Sequence, residues 1–175
     1  MKPLLFVISS TIRRDLHRPF RRFTKFRVVH AYQNAAYDDL DPTDFGANTH
    51  RYRSINELRQ LINELQPDLI QGPEPVANRL MLRAAWVVWQ YHRRTGTPYF
   101  FPMFENRPLI VKFGTIVGFL MHFVLARYAC DAAWVYVLNR GAKQTLQSLG
   151  IAQNKMFLAH WGNWGIDRRE FFPAG

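Results

Sequence analysis

An α/β fold built on a mostly parallel sheet is predicted by two features of this 175-residue sequence. Short, continuous apolar runs, typical of strands that are buried on both faces, alternate with longer segments whose apolar residues recur at helical spacing. Such an alternation predicts parallel strands joined by right-handed helical crossovers. The length and the apolar fraction of 48% are sufficient for one domain with one core.

The first strand is marked by a change from apolar to polar residues. Pro3–Ser9 is the apolar run that predicts the strand, and the hydroxyls of Ser9–Thr11 are candidate N-caps of a following helix. Phe26–His30 predicts the second strand. Tyr37–Asn48 is acidic and rich in turn residues, so it is predicted to be a loop.

The later elements are delimited by caps and turn residues. Ser54, with Glu57 three residues further on, has the capping-box pattern and begins a predicted helix at Ile55–Leu65. Gly96 and Gly150 each stand where a helix is predicted to end. The remaining helices are predicted at Val76–Arg94, Leu109–Ala129 and Gly141–Leu149, and the remaining strands at Pro67–Pro73, Tyr99–Phe104, Ala132–Leu138 and Lys155–Ala159.

Polar residues at the ends of these strands are the candidate ligand-binding residues, because parallel α/β sheets bind ligands at the carboxyl ends of their strands. They are Ser9, Ser10, Thr11, Glu105, Asn106, Asn139, Arg140 and Asn163. A structural role is the alternative at two of these places. Glu105 or Asn106 would cap the helix after Pro108, and Asn139 would cap the helix that it precedes. The N-terminus of that second helix would also attract an anion.

The sequence lacks the motifs typical of several kinds of enzyme and metal site, which disfavours those functions. No G-x-G-x-x-G or Walker sequence follows the first strand, which disfavours a free-standing dinucleotide enzyme or nucleoside triphosphatase. The six histidines show no H-E-x-x-H spacing, so no metal site is predicted. Without a G-x-S-x-G element, no catalytic residue can be named. The single cysteine, Cys130, excludes an intramolecular disulfide and is predicted to be buried.

The net charge of +10 indicates a polyanionic partner, such as nucleic acid, anionic lipid or a nucleoside diphosphate. Seven lysines and arginines lie within the fifteen residues Arg13–Arg27. The candidate membrane- or anion-binding residues, near one helical face, are Arg14, Arg18, Arg21, Arg22 and Lys25. Three interpretations stay open: a solvated face whose phenylalanines pack on the sheet, contact with an anionic membrane or lipid-linked substrate, and nucleic-acid binding. The N-terminal segment is too short and wrongly flanked for a secretory signal, which predicts a cytoplasmic location.

A second apolar segment, Leu109–Ala126, is eighteen residues long and is interrupted by Lys112 and His122. A buried core helix is the favoured interpretation, because a membrane span requires about 20 mostly apolar residues. The alternatives are interfacial contact with a membrane, in which Lys112 and Arg127 reach the headgroups, and a full span.

Four segments, taken in order, resemble the N-terminal half of family-four GT-B glycosyltransferases. Gln66–Pro73 is similar to their P-D-(hydrophobic)-(hydrophobic) strand, and Thr95–Tyr99 is similar to the G-x-P step into their next strand. Cys130–Asn139 is similar to their A-D-x-(hydrophobic) strand. Asn163–Asp167 followed by Phe171–Pro173 resembles the N-x-G-I-D and F-x-P strip that closes that half.

The resemblance implies a Rossmann-like three-layer α/β sandwich, which is the acceptor-binding half of a retaining glycosyltransferase. It implies a nucleoside diphosphate sugar as donor substrate, with no cofactor and no metal. A second, C-terminal domain mainly holds the donor in such enzymes, and many of them act on lipid-linked or cell-envelope glycans. Two positions depart from the family pattern: Ser9–Ile12 replaces a glycine-rich turn, and Phe104–Asn106 lacks the usual histidine.

Residues 1–175 are therefore expected to form one Rossmann-like acceptor-side domain that lacks a C-terminal donor domain and has little transferase activity alone. The expected partners are a separate donor domain, a lipid-linked or glycan acceptor and the inner membrane surface, whereas nucleic acid is disfavoured. One alternative function is a peripheral module that binds anionic membranes or nucleic acid on the same scaffold. Another is a different α/β enzyme, such as an epimerase-like fragment.

Overall fold

The structure, a computed structural model, describes residues 2–12, 23–35 and 48–158. The strands are β1 (Leu4–Ile12), β2 (Arg27–Ala35), β3 (Thr49–Arg51), β4 (Leu69–Gln71), β5 (Tyr99–Met103), β6 (Trp134–Val137) and β7 (Met156–Leu158). The helices are α1 (Ile55–Leu65), α2 (Arg79–Thr95), α3 (Leu109–Phe113), α4 (Thr115–Asp131) and α5 (Arg140–Ser148), and a 3-10 turn at Gln153–Lys155 leads into β7.

All seven strands are parallel and form one sheet in the order β3-β2-β1-β4-β5-β6-β7. Val7 of β1 pairs with His30 of β2 on one side and with Gln71 of β4 on the other. The strand order therefore reverses between β1 and β4. This sheet confirms the predicted Rossmann-like α/β fold. Because the strands are parallel, their carboxyl ends share one edge of the sheet, hereafter the carboxyl edge.

Two apolar clusters, one on each face of the sheet, form the core. The larger cluster joins alternate residues of β1 to residues of the five helices in the described part of the chain, and the smaller cluster contains Leu5, Val7 and Phe100. Phe6 and Val7 are fully buried although they point to opposite faces. Burial of each large apolar side chain contributes about 1.5–3 kcal/mol, which explains why β1 is a continuous apolar run.

Two helix ends that depend on local caps, at Ser54 and Gly96, lie where the sequence predicts them, whereas α2 begins at Arg79 after the Asn78 cap and not at Val76. The Ser54 hydroxyl accepts the Glu57 N–H at 3.1 Å, and the Glu57 carboxylate accepts the Arg53 N–H at 2.6 Å. Helix α2 ends at Gly96, which adopts a φ of 76°, a left-handed conformation that glycine takes without strain.

The first two strands are longer than predicted. β1 continues through Ile12, so Ser9–Thr11 lie in the strand and cap no helix. β2 extends to Ala35, and Ser9 pairs with Tyr32 across the extension. The added length depends on pairing between distant segments, which the polar composition of the Ser9–Thr11 stretch does not indicate.

The edge strand β3 is not predicted by the sequence, because its three residues contain no apolar run. It pairs with residues 30–32 of β2 and so also depends on a distant partner. The predicted loop Tyr37–Asn48 lies outside the described residues except for Asn48.

The predicted helix Leu109–Ala129 is divided into α3 and α4 at Gly114, whose φ of 79° and ψ of 170° are not helical. Helix α3 packs against α4 at Gly118, where a Cβ would lie 2.6 Å from the Cα of Ile110. The close approach of the two backbones therefore requires glycine at this position.

Helix α4 is only partly a core helix. Met121, Leu125 and Ala129 are buried in the larger core cluster, but the opposite side of the helix carries exposed apolar residues. Cys130 is exposed as well, so the prediction that its apolar neighbours would bury it is wrong. In the ranges 2–12, 23–35 and 48–158, no helix is both long enough and apolar enough to cross a bilayer.

Candidate functional site

Three loops meet at the carboxyl edge, where β4, β5 and β6 end, and a buried carboxylate joins the first two. Glu74 follows β4 and is 7% exposed. Its Oε1 accepts the backbone N–H of Phe104 at 3.0 Å and that of Glu105 at 2.8 Å. The segment after β5 is thereby held against the segment after β4.

Burial raises the pKa of Glu74 above its ordinary value, while the two backbone hydrogen bonds and the charge of Lys112 oppose that rise. The sequence places Glu74 at the carboxyl end of a predicted strand, but Glu74 is not among the candidate ligand-binding residues. The signal for it is its position between Pro73 and Pro75 directly after a strand, which is equally typical of an ordinary turn.

Glu105 lies in the turn after β5 and forms two ion pairs, although only 9% of the residue is exposed. Its Oε1 is 2.9 Å from the Nε of Arg107, and its Oε2 is 2.5 Å from the Nζ of Lys112. It also accepts the Arg107 backbone N–H at 3.1 Å. The Arg107 side-chain hydrogen bond, with a smaller contribution from Lys112, outweighs burial and lowers the pKa of Glu105 to about 2.

This geometry corrects the capping roles predicted for the turn. Helix α3 follows Pro108 and has no side-chain cap, so neither Glu105 nor Asn106 caps it. Glu105 instead stabilises the turn before the helix through Arg107. Its oxygens are engaged within the protein, so a ligand would contact Glu105 only by displacing one of its partners.

Lys112 connects this turn to the loop after β4. Besides its ion pair with Glu105, its ammonium donates to the Val76 carbonyl at 2.8 Å. Only 15% of its side chain is exposed. In the sequence Lys112 is an interruption of an apolar segment or, in the interfacial alternative, a residue that reaches lipid headgroups. In the structure it lies in α3 and its ammonium is engaged at the carboxyl edge.

Asn139 joins the end of β6 to the end of β5. Its Oδ1 accepts the Ala142 N–H at 2.8 Å, which confirms the predicted cap of α5, and its Nδ2 donates to the Phe104 carbonyl at 2.6 Å. A Cβ on Gly141 would overlap the Asn106 carbonyl oxygen, so the two turns are in direct contact. Both polar groups of the Asn139 amide are therefore engaged, the Oδ1 in the cap of α5 and the Nδ2 in joining the two loops.

The polar groups that face solvent on this scaffold belong to Asn106, Arg107 and Arg140. Arg107 keeps 58% of its side chain exposed despite its ion pair. Asn106 and Arg140 are exposed, and they are close neighbours because Gly141 contacts Asn106. Two guanidinium groups and an amide can hydrogen-bond sugar hydroxyls or a phosphate.

Ser9, Ser10 and Thr11 lie on the part of β1 that extends beyond β4, whose pairing with β1 stops at Val7. The Ser9 Oγ is 2.8 Å from the Nε2 of His30 and donates to the Thr11 carbonyl at 2.8 Å. The Ser10 Oγ is 3.2 Å from the Thr11 Oγ1. These half-buried hydroxyls lie where the strand order reverses, the point at which doubly wound sheets bind ligands.

The other predicted site residues are not part of the described carboxyl edge. Those that lie outside the described residues are Asn163, Arg14, Arg18, Arg21 and Arg22. Lys25 is exposed in the turn before β2, so it lies at the amino ends of the strands, opposite the carboxyl edge. Within the described ranges, no three side chains of the metal-ligating types cluster together.

Among solved structures, the fold is similar to that of several proteins whose names refer to UDP or to sugars. The structure of Staphylococcus aureus MnaA with UDP matches 97% of this chain and 48% of its own, at 13% identity and a TM-score of 0.63. The UDP-GlcNAc 2-epimerase from Methanocaldococcus jannaschii matches 90% of this chain and 45% of its own, at 14% identity and a TM-score of 0.57. The lipopolysaccharide outer core galactosyltransferase WaaB matches 90% of this chain and 45% of its own, at 12% identity and a TM-score of 0.54. No protein-family model and no curated protein sequence matches the chain.

These likenesses show the fold. The chain has the architecture of one Rossmann-like domain of the GT-B type, and it spans about half the length of each structure named above. The predicted half of a GT-B fold is thus confirmed at the level of architecture, while the resemblance to family four stays a prediction.

Proposed function

We propose that this chain is the acceptor-binding half of a GT-B glycosyltransferase that takes its sugar from a nucleoside diphosphate donor. The observation that carries the proposal is the carboxyl edge of a GT-B-type domain, where three joined loops leave Asn106, Arg107 and Arg140 facing solvent. The resemblance to family four adds a retaining mechanism and a lipid-linked or cell-envelope acceptor.

The joined loops support acceptor binding because they fix polar groups before a ligand arrives. Glu74 and Asn139 each bond to the loop after β5, so little ordering of the backbone is left for binding to induce. Glu105 orients the guanidinium of Arg107, which remains open to solvent. An oriented guanidinium can bind two oxygens of one phosphate or sugar, and a phosphate-linked glycan acceptor offers both groups.

The transfer reaction itself is proposed to need a second domain. Catalysis depends on holding donor and acceptor together in one transition state, and one wall of a cleft holds only one of them. The role of this chain is then to bind the acceptor and to orient its reacting hydroxyl. Glu105 is not proposed as the base, because it is ionised and already paired with two cations.

A second candidate function is one half of an enzyme similar to the UDP-N-acetylglucosamine 2-epimerases. Three structures with that name match at TM-scores of 0.59, 0.57 and 0.52, against 0.54 for the galactosyltransferase. An epimerase half would bind a UDP-sugar and no separate acceptor.

Titration calorimetry of the full chain separates the two candidates. We expect a disaccharide linked to a short-chain prenyl phosphate to bind, and we expect Arg140→Gln to weaken that binding by about tenfold, because a hydrogen bond to a charged group is lost. Arg59→Gln, at an exposed arginine of α1, is the matched control and should leave the affinity unchanged. Binding of the UDP-sugar alone would favour the epimerase half. If Arg140→Gln has no effect on acceptor binding, the assignment of this edge is wrong.

A further inference from the structure

Helices α3 and α4 present an exposed apolar surface that the proposed acceptor site does not use. Ile116, Phe119 and Phe123 are 80%, 72% and 73% exposed, and their spacing of three and four residues places them on one side of α4. The adjoining α3 contributes Val111, which is 70% exposed. We call this surface the α4 face, and its residues are Val111, Ile116, Val117, Phe119, Leu120 and Phe123.

The α4 face is unusual because the helix is apolar on both sides. Its inner side is buried through Met121 and Leu125, and a helix that is apolar all round is normally buried on its outer side too. His122, a polar residue within this stretch, is turned back on the helix, and its Nδ1 is 2.8 Å from the Gly118 carbonyl oxygen. Thr115 is exposed at the start of α4, but the six residues of the α4 face are all apolar, which suits a hydrocarbon environment. Contiguous apolar surfaces of this kind mark sites of interaction.

Arginines and a tryptophan are exposed on α2, the helix that packs against α4. Helix α2 packs against α4, and Arg79, Arg83, Trp86 and Arg93 recur on its exposed side at helical spacing. Helix α2 contains no acidic residue, and Trp86 is 53% exposed. Basic residues and tryptophan at the border of an apolar surface are typical of helices that lie at a membrane interface.

The charge around the α4 face discriminates between its candidate occupants. Residues 79–131 contain seven lysines and arginines but two acidic residues, and both acids are paired: Glu105 with Lys112, and Asp131 with Arg127 at 3.7 Å. A second copy of the chain would bring the same excess of positive charge to the contact, and like charges repel. Anionic headgroups supply the opposite charge directly beside an apolar interior.

We propose that the α4 face docks on an anionic lipid bilayer. Ile116, Phe119 and Phe123 enter the boundary between headgroups and acyl chains, while the α2 arginines contact lipid phosphates. Helix α4 begins near the carboxyl edge, because it follows β5 through α3, so docking brings the candidate acceptor site close to the lipid surface. The proposal is independent of the proposed function, since a bilayer would be bound whatever ligand the carboxyl edge takes.

Vesicle flotation of the full chain tests the apolar part of this surface. We expect the chain to float with vesicles of phosphatidylcholine and phosphatidylglycerol, and much less with phosphatidylcholine alone. The double variant Phe119→Ser with Phe123→Ser should partition onto the vesicles about tenfold less, because two rings that would be buried in the bilayer are lost. Phe157→Ser, at an exposed phenylalanine of β7, is the matched control and should partition as the unmodified chain does.

The basic part is tested by replacing Arg79, Arg83 and Arg93 together with glutamine. Each basic residue near an anionic surface contributes to the free energy of membrane binding. With three such residues removed, we expect partitioning onto the vesicles to fall on the order of 100-fold. A control variant removes three positive charges from β3, the β3–α1 connection and α1, away from the α4 face. Its partitioning onto vesicles should fall far less. The control replaces Arg51, Arg53 and Arg59 with glutamine.

A fluorescent probe distinguishes docking through the α4 face from binding through any other basic segment. Phe119→Cys in a Cys130→Ser background, labelled with a nitrobenzoxadiazole dye, should show a blue-shifted emission on anionic vesicles. The proposal is overturned if the chain does not float, if the Phe119 and Phe123 double variant floats like the unmodified chain, or if that variant instead abolishes a concentration-dependent dimer. Unchanged thermal unfolding of the variants excludes loss of the fold as the cause.

Discussion

Glu105 and Lys112 form the ion pair at the centre of the candidate site. The exposed fractions of the two side chains are 8% and 15%, so water solvates neither charge well. Each partner also holds a backbone group of a loop: Glu105 binds the Arg107 N–H, and Lys112 binds the Val76 carbonyl. The pair therefore contributes to the position of the loops as well as to their stability.

Removal of one partner should be costly because the other charge stays in place. We expect Glu105→Gln to lower the free energy of unfolding in urea by about 3 kcal/mol, the lower part of the range for buried pairs. The double variant Glu105→Gln with Lys112→Met should recover part of that loss. Glu64→Gln, at an exposed carboxylate of α1, is the control. If Glu105→Gln lowers the free energy of unfolding no more than Glu64→Gln does, the structural role of the ion pair is contradicted.

The pKa of Glu105, which its ion pairs lower from the ordinary 4.5 of a glutamate to about 2, predicts part of the acid dependence of stability. Ionised Glu105 contributes stability that is present above pH about 4.5 and is lost as the pH falls towards about 2. Glu74 acts in the opposite sense, because its raised pKa favours protonation in the folded chain. Glu105→Gln should therefore flatten the decline of unfolding free energy with falling pH, and Glu74→Gln should steepen it. Urea unfolding across this range measures both, and an unchanged slope for Glu105→Gln would refute the assignment.

At the scale of elements, local signals were sufficient for some boundaries and not for others. The caps at Ser54 and Asn139 act within three residues, so the sequence predicts the helices that they begin. The extension of β1 to Ile12 depends on its pairing with β2, which no local pattern shows. The break at Gly114 was missed because an isolated glycine in an apolar run is compatible with a continuous helix.

The contact between α3 and α4 can be tested by whether one substitution, Gly118→Ala, stabilises or destabilises the protein. In an isolated helix, Gly118→Ala would stabilise α4 by about 1 kcal/mol through helix propensity. Here the new Cβ would lie 2.6 Å from the Ile110 Cα, so we expect the variant to be destabilised by about 1–3 kcal/mol. Thermal or urea unfolding gives the sign directly, and a stabilised variant would show that α3 does not pack against α4 as described.

At the scale of the whole molecule, the parallel order of the strands decides which residues meet. The alternation of apolar runs and helices predicted one shared edge, and Glu105, Asn106, Asn139 and Arg140 do lie together there. The sequence did not identify the bonds that join the loops, because these bonds link residues about thirty positions apart, as Glu74 does with the segment after β5. Of the residues that hold the loops, Glu105 and Asn139 are among the predicted candidates, whereas Glu74 and Lys112 are not.

The central claim is that the carboxyl edge binds the sugar acceptor, and amide chemical-shift mapping of the full chain tests it most directly. On titration with the prenyl phosphate disaccharide, we expect the largest shifts at residues 104–107 and 139–141, with smaller ones at residues 9–11. Shifts confined to the amino ends of the strands, at residues 25–27, 66–68 and 96–98, would contradict the claim.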